Sequence, residues 1–308
     1  MLAIEVSDLR KNYGDVQAVA GVSFDVREGE VYALLGENGA GKSTIVEILE
    51  GHRTASSGRV EVLGVEPATA GRDFRNRIGI VLQSSGVESE FTVREVIELY
   101  GGCYRQHLDA DEVAGLVGLD EKVDARIGSL SGGQRRRVDL ALGIVGKPEL
   151  LFLDEPTTGF DPSARRKSWD LIERLGSAGT TVMLTTHYLD EAERLADRVG
   201  VLSRGRLIAE GTPEDLINKV SGTVVSFMLP DSVEPDEAAS TFGPVLGVDV
   251  RVSGRLVEAT IDHPAAAVNR LTSWALEAGV ELDSLSVGRA SLEDVYLALT
   301  EDEGDEQQ

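Results

Sequence analysis

The apolar and polar positions along the first two thirds of the chain alternate between strand-like and helix-like patterns. Residues 2–7 and 22–26 read as strands, and VYALL at 31–35 is apolar throughout, as expected of a strand buried on both faces. A glycine-rich turn follows. Beyond it Ile45, Ile48 and Leu49 fall at i, i+3 and i+4, one face of a helix, and Gly51 stands where that helix should end. The same reading predicts strands at 78–82, 150–154, 181–185 and 198–202, and helices at 92–103, 132–145, 162–177 and 189–196. Such alternation predicts an α/β domain around a largely parallel sheet.

Near 218–222 the pattern changes. A strand at 223–229, a helix near 233–241, strands at 245–252 and 255–261, a helix at 264–278 and a strand at 282–287 give the order β-α-β-β-α-β, a ferredoxin-like arrangement. The expected organisation is therefore a larger α/β domain over 1–219, a smaller α+β domain over 220–300 with a short helix in SLEDVYLALT, and an acidic, disordered tail at 301–308.

Composition narrows the class. Of 308 residues, 42% are hydrophobic and 27% charged, values of a soluble globular protein. No apolar run approaches the roughly 18 residues that span a bilayer; the most apolar stretch, LALGIVGKPELLFLD, is interrupted by Lys147 and Pro148. The opening MLAIEVSDLRKNYG lacks the basic start and apolar core of a signal peptide, so a cytoplasmic location is expected. The single Cys103 permits no internal disulfide, which fits a reducing compartment. A net charge of −23 argues against direct binding to nucleic acid or insertion into anionic lipid. From Ser221 onward four Arg, no Lys and 17 Asp plus Glu leave −13 of that charge.

Residues 36–44 read GENGAGKST, a match to G-x-x-x-x-G-K-[ST] between a predicted strand and a predicted helix. In that setting the backbone of Gly36, Glu37, Asn38, Gly39, Ala40 and Gly41 can turn N–H groups toward phosphate oxygens, helped by the positive end of the helix that includes Thr44. Lys42 can reach the β- and γ-phosphates and Ser43 can place its hydroxyl on Mg²⁺. At 150–155, LLFLDE sets Asp154 and Glu155 at the C-terminal end of a buried strand, where ligands of open α/β sheets bind. Asp154 is the candidate metal ligand and Glu155 the candidate group that polarises the attacking water. The alternative for this pair is the cap of a turn or helix ahead of Pro156 and Thr157.

A third motif, LSGGQ at 130–134, lies between these two. A phosphate loop, LSGGQ and LLFLDEP in this order resemble the ABC (ATP-binding cassette) ATPases over about the first 215 residues. The resemblance implies ATP and Mg²⁺ as ligands and a head-to-tail dimer. In that dimer Ser131, Gly132, Gly133 and Gln134 of one subunit close over the nucleotide of the other. It also implies that Tyr13 in KNYG stacks on adenine, that Gln83 in IGIVLQ binds Mg²⁺ and senses a membrane subunit, that Asp161 in TTGFDP links the two sites, and that His187 in LTTHYLDEA contacts the γ-phosphate. Each has a plain alternative: a surface aromatic at Tyr13, a strand end at Gln83, a helix N-cap at Asp161, a structural histidine at His187. Glu37 stands where many relatives have Pro, and Phe160 where Leu is commoner; neither removes a catalytic group. Intact motifs imply two equivalent sites in a homodimer or paired ATPase subunits.

The stretch GIVLQSSGVESEFTVREVIELYGGCY, with SLEDVYLALT near the end, is similar to the drug- and antibiotic-resistance exporter subfamily of the daunorubicin-resistance type. That resemblance implies a separate membrane permease met near Gln83 and residues 84–98, attachment to the inner face of the membrane through it, and efflux of a drug, antibiotic or lipid. The rival is a non-transport ABC ATPase acting as a regulatory or nucleic-acid-linked switch; the net charge weighs against the nucleic-acid form.

Overall fold

The computed structural model describes residues 1–81, 86–219, 223–230, 232–289 and 291–297. The chain divides into two compact units, Met1–Pro213 and Glu214–Gln308. In chain order the first contains β1 (Leu2–Tyr13), β2 (Val16–Arg27), β3 (Val31–Leu35), α1 (Lys42–Leu49), β4 (Ser57–Val62), α2 (Arg72–Arg75), β5 (Ile78–Val81), α3 (Val93–Gly101), α4 (Ala110–Val117), α5 (Gly132–Ile144), β6 (Leu150–Asp154), α6 (Pro162–Ser177), β7 (Thr181–Thr186), α7 (Leu189–Leu195), β8 (Arg198–Ser203) and β9 (Arg206–Gly211); α8 (Pro213–Lys219) straddles the division.

Six strands form one sheet in the order β5-β6-β7-β3-β8-β9. All neighbours run parallel except the last pair, where β9 returns antiparallel along β8. The apolar runs explain the placement. VYALL, LLFL and TVMLTT are buried along their lengths, so β3, β6 and β7 take the interior of the sheet, where both faces are covered. A smaller antiparallel sheet, β2-β1-β4, packs its apolar side with α1 into a common core that includes Ile4, Val22, Phe24, Tyr32 and Ile45. Phe24 stacks on Tyr32 with ring centroids 5.3 Å apart. Each fully buried side chain of this kind contributes about 1.5–3 kcal/mol.

Helix starts follow local chemistry. Thr92 and Glu95 form a capping box at α3, and Asp161 followed by Pro162 opens α6. The helix predicted over 132–145 runs from Gly132 to Ile144, with Ser131 and Gln134 as its capping box.

In the second unit the elements are β10 (Thr223–Met228), α9 (Pro235–Leu246), β11 (Arg251–Ser253), β12 (Leu256–Ile261), α10 (Pro264–Ala278) and β13 (Ser286–Arg289), with a short helix at 292–297. The sheet is antiparallel in the order β11-β12-β10-β13, which makes the ferredoxin-like arrangement the observed one. Phe242 meets Phe227 and Trp274 edge-on at 4.9 and 4.8 Å, at the centre of this unit's core. The strand expected over 245–252 is corrected. The helix continues past Pro244 to Leu246, ends at left-handed Gly247, and leaves only Arg251–Ser253 as strand. Phe242 and Leu246, one helical turn apart, are both buried, which favours the extra turn.

Candidate functional site

Three neighbouring parallel strands end together. Registers Leu35↔Thr186 and Asp154↔Thr185 place the C-terminal ends of β3, β6 and β7 side by side. The phosphate loop leaves β3, Asp154 ends β6 with Glu155 just beyond it, and Thr185 and Thr186 end β7 with His187 just beyond them. Residues far apart in sequence thus meet at the edge where open α/β sheets bind ligands.

The loop's conformation depends on its glycines. Gly39 and Gly41 have φ of 86° and 107°. A Cβ on Gly41 would lie 2.5 Å from the Ala18 carbonyl oxygen, and one on Gly36 would collide with that of Leu202. Ala40 is buried, while Glu37, Asn38 and Gly39 are exposed. Gly41 caps α1, so the free N–H groups of Lys42, Ser43 and Thr44 head a helix whose dipole favours anions. The Lys42 side chain is only 4% exposed, and its Nζ donates to the carbonyls of Gly36 at 2.6 Å and Glu37 at 3.1 Å. Burial holds this ammonium below the usual lysine range, against the opposing pull of Glu155 and then Asp154.

The acidic groups converge on the same point. Glu155 Oε1 lies 3.7 Å from Lys42 Nζ and 3.2 Å from His187 Nδ1. The His187 contact is close but off the line of a hydrogen bond. Glu155 Oε2 accepts from the Thr158 hydroxyl at 3.1 Å. Glu155 has φ of 47°, a left-handed conformation that costs a non-glycine residue about 1–3 kcal/mol. Its N–H donates to the carbonyl of Thr185 at 3.2 Å and to that residue's hydroxyl at 3.1 Å. Ser43 Oγ stands 3.4 Å from both carboxylate oxygens of Asp154. A hydroxyl beside a carboxylate fits a small, hard cation that keeps most of its water and takes one or two protein oxygens. Among the described residues no cluster of three or more His, Cys, Asp or Glu is arranged to hold a metal, so a cation here would depend on this oxygen pair and on its ligand.

The remaining predicted residues lie in other settings. Ser131 caps α5: its hydroxyl accepts from Gln134 N–H at 3.3 Å, and Gln134 Oε1 accepts from Ser131 N–H at 2.9 Å. Ser131 and Gly132 are exposed, and no atom stands within 4 Å of a Cβ built on Gly132, so the helix N-terminus is open to an incoming anion. Gly133 is closer-packed: a Cβ there would lie 3.5 Å from Ala164 Cβ. Asp161 accepts from the N–H groups of Ser163 and Ala164, which hold its carboxyl below the usual range. Tyr13 ends β1 and is 40% exposed, and Lys11 Nζ and the Arg53 guanidinium lie 5.2 and 5.4 Å from its ring centroid. Gln83, with Ser84 and Ser85, lies outside the described residues.

Two contributors escaped the sequence reading. Thr185 bonds both acidic residues, and its only signal was its place two positions before His187. Arg136 reaches from α5 to the carbonyls of Asp154, Glu155 and Pro156, and it was hidden in the run RRR after LSGGQ.

Comparison with known proteins accords with this geometry. The ABC transporter family profile matches residues 19–158, and that of the ABC transporter domain-containing protein-like C-terminal domain matches residues 223–291. The chain is 38% identical over 306 residues to the daunorubicin resistance ATP-binding protein DrrA3 of Streptomyces coeruleorubidus, covering 98% of this chain and 96% of that one. It is 40% identical over 305 residues to the Nod factor export ATP-binding protein I of Rhizobium etli, covering 97% and 94%. Among solved structures it resembles an ATP-binding subunit of an ABC transporter, with a TM-score of 0.64 and 27% identity over 70% of this chain and 92% of that one. A dimeric bacterial ABC transporter cassette matches with a TM-score of 0.61 and 25% identity over 68% and 98%. With kinship of this extent laid over a phosphate loop, two adjacent acids and the open N-terminus of α5 at LSGGQ, the signature turn and helix, the chain belongs to the ABC transporter ATP-binding family and is an ATPase.

Proposed function

We propose that this chain powers an exporter whose membrane-spanning part is a separate permease, moving a drug, antibiotic or lipid outward. The observation that carries the reading is the near full-length kinship with ATP-binding proteins named for drug resistance and for export, through the C-terminal segment as well as the cassette. Among the described residues no helix is long and apolar enough to cross a membrane, which suits an ATPase held at the inner membrane face by its permease. Residues 1–219 form the ATP-binding domain in this reading, and 220–300 an accessory domain ahead of the acidic tail 301–308, which lies outside the described residues.

In the proposed cycle two copies meet head to tail, as supported by the likeness to a dimeric cassette. Tyr13 stacks on adenine. The backbone of Gly36–Thr44 and the Lys42 ammonium hold the phosphates. Ser131, Gly132, Gly133 and Gln134 reach the γ-phosphate of ATP on the partner, and Asp161 joins the two sites. Mg²⁺ held by Ser43, Asp154 and Gln83 would neutralise phosphate charge. Glu155 polarises a water whose oxygen attacks the γ-phosphorus as the bond to the β-phosphate oxygen breaks, and His187 steadies the γ-phosphate. Closure on ATP and opening on ADP shift the population between two dimer states, and the permease reads that shift at Gln83 and residues 84–98.

The test is co-expression with the adjacent gene product predicted to have about six spans of about twenty apolar residues. Co-purification and ATP hydrolysis that responds to candidate drugs or lipids in vesicles are expected. No complex with such a protein, and hydrolysis indifferent to its presence, would contradict the exporter reading.

A further inference from the structure

One buried cation takes no part in the cycle above. Arg136 sits near the start of α5, just beyond the Ser131–Gln134 capping box, and is 7% exposed. Its guanidinium crosses to the end of β6. Nε donates to the Pro156 carbonyl at 3.1 Å, while Nη2 donates to those of Asp154 at 3.2 Å and Glu155 at 3.3 Å. Nη1 faces Asp139 at 3.6 Å. Three successive carbonyls are thus gathered by one planar fork, a geometry for which a lysine ammonium is a poor substitute. The middle carbonyl belongs to Glu155, the residue held at a φ of 47°. Such a conformation persists only where the surroundings over-determine it. Thr185 fixes the N–H side of Glu155, and Arg136 fixes the carbonyl side.

We infer that Arg136 is a positioning residue that ties the signature helix to Glu155 of the same subunit, so that engagement of Ser131 and Gly132 by a partner's nucleotide is transmitted to the aim of this subunit's own carboxylate. The inference rests on the proposed roles of Glu155 and of the signature turn. A guanidinium that merely filled the core would hold β6 and α5 together without favouring any step of turnover.

The experiment uses the full chain with Arg136→Lys, which keeps charge and stem, and Arg136→Gln, which removes the buried charge; whichever variant folds, by its melting curve, decides. The expected result is a fall in kcat of about tenfold or more, with KM for ATP changed by less than about threefold. In the Glu155→Gln background, where no carboxylate remains to be aimed, the same substitution changes the residual rate by less than about twofold. A kcat within about threefold of native, a rise in KM that accounts for the loss in kcat/KM, or an equal fall in both backgrounds overturns the inference. Glu155→Gln alone separates the two possible failures. If it turns over at the native rate, the role of Glu155 fails; if it is inactive while the Arg136 variants are not, only the role of Arg136 fails.

Discussion

The Thr185 hydroxyl donates to Asp154 Oδ1 at 2.5 Å and accepts the Glu155 N–H at 3.1 Å. One buried side chain on β7 therefore sets both acids at the end of β6, fixing one carboxylate directly and the other through its backbone. The two acids diverge from there: Asp154 faces Ser43, and Glu155 faces Lys42 and His187. Thr185→Val keeps the shape and removes the hydroxyl. It should cost about 0.5–1.5 kcal/mol of stability, since Asp154 loses a donor while the Glu155 N–H keeps the Thr185 carbonyl. ATPase activity should fall as well. Thermal unfolding and steady-state hydrolysis on the same preparation check both effects.

Lys42→Ala removes the ammonium that meets Glu155 and the Gly36 carbonyl in the phosphate loop. A charge-assisted contact to phosphate is worth about 1.5–3 kcal/mol, so ATP affinity should fall by about tenfold or more. Titration with a fluorescent ATP analogue measures it, and unchanged affinity would remove the phosphate-loop assignment.

Gly41→Ala places a methyl against the Ala18 carbonyl in a residue with φ of 107°. The loop must then shift or the residue must leave the left-handed region, at about 1–3 kcal/mol. Nucleotide binding should weaken together with thermal stability, because the same backbone geometry serves both. Gly39→Ala shares the strained φ but meets no neighbouring atom, so it should be the milder change.

Glu50 follows α1 and is 5% exposed; its carboxyl is pushed up to about 8 by burial, with Asp154 and Glu47 adding to the effect. His52 Nδ1 lies 3.1 Å from it, and both line a cavity of about 200 Å³ with Arg75, Tyr100 and Tyr104. Because the folded-state value lies above the unfolded one, the folded protein binds the extra proton between them. The associated stability is fully present below the ordinary carboxylate value and is lost as pH rises through about 8. Glu50→Gln should flatten the decline in melting temperature between about pH 5 and about pH 8.5. A wild-type and variant decline of equal slope would contradict the burial of a proton here.

Much of the site was legible because its chemistry is local. GENGAGKST, LSGGQ and LLFLDE each specify a turn or strand end by residue type, and VYALL, LLFLD and the helix at 162–177 appear at the positions their patterns predict. β4, α2, α4, β9 and α8 went unread. β4 and β9 are exposed or half-buried along most of their length, which blurs the strand signal, and α4 carries Gly115 in its interior, which weakens the helix signal. The alternation of Val248, Val250 and Val252 after Pro244 suggested a strand, whereas the core contacts of Phe242 and Leu246 decided for helix. Arg136 and Thr185 were beyond sequence reading, because their partners are backbone groups and a carboxylate brought near only by parallel strand order.

The most direct test of the account is the nucleotide content of purified Glu155→Gln after incubation with ATP and Mg²⁺. Closure of two phosphate loops on two signature turns predicts a stable dimer by light scattering that retains two unhydrolysed ATP per pair of chains, while the native chain releases ADP. A monomer at saturating ATP, or a variant that hydrolyses ATP at the native rate, would contradict it.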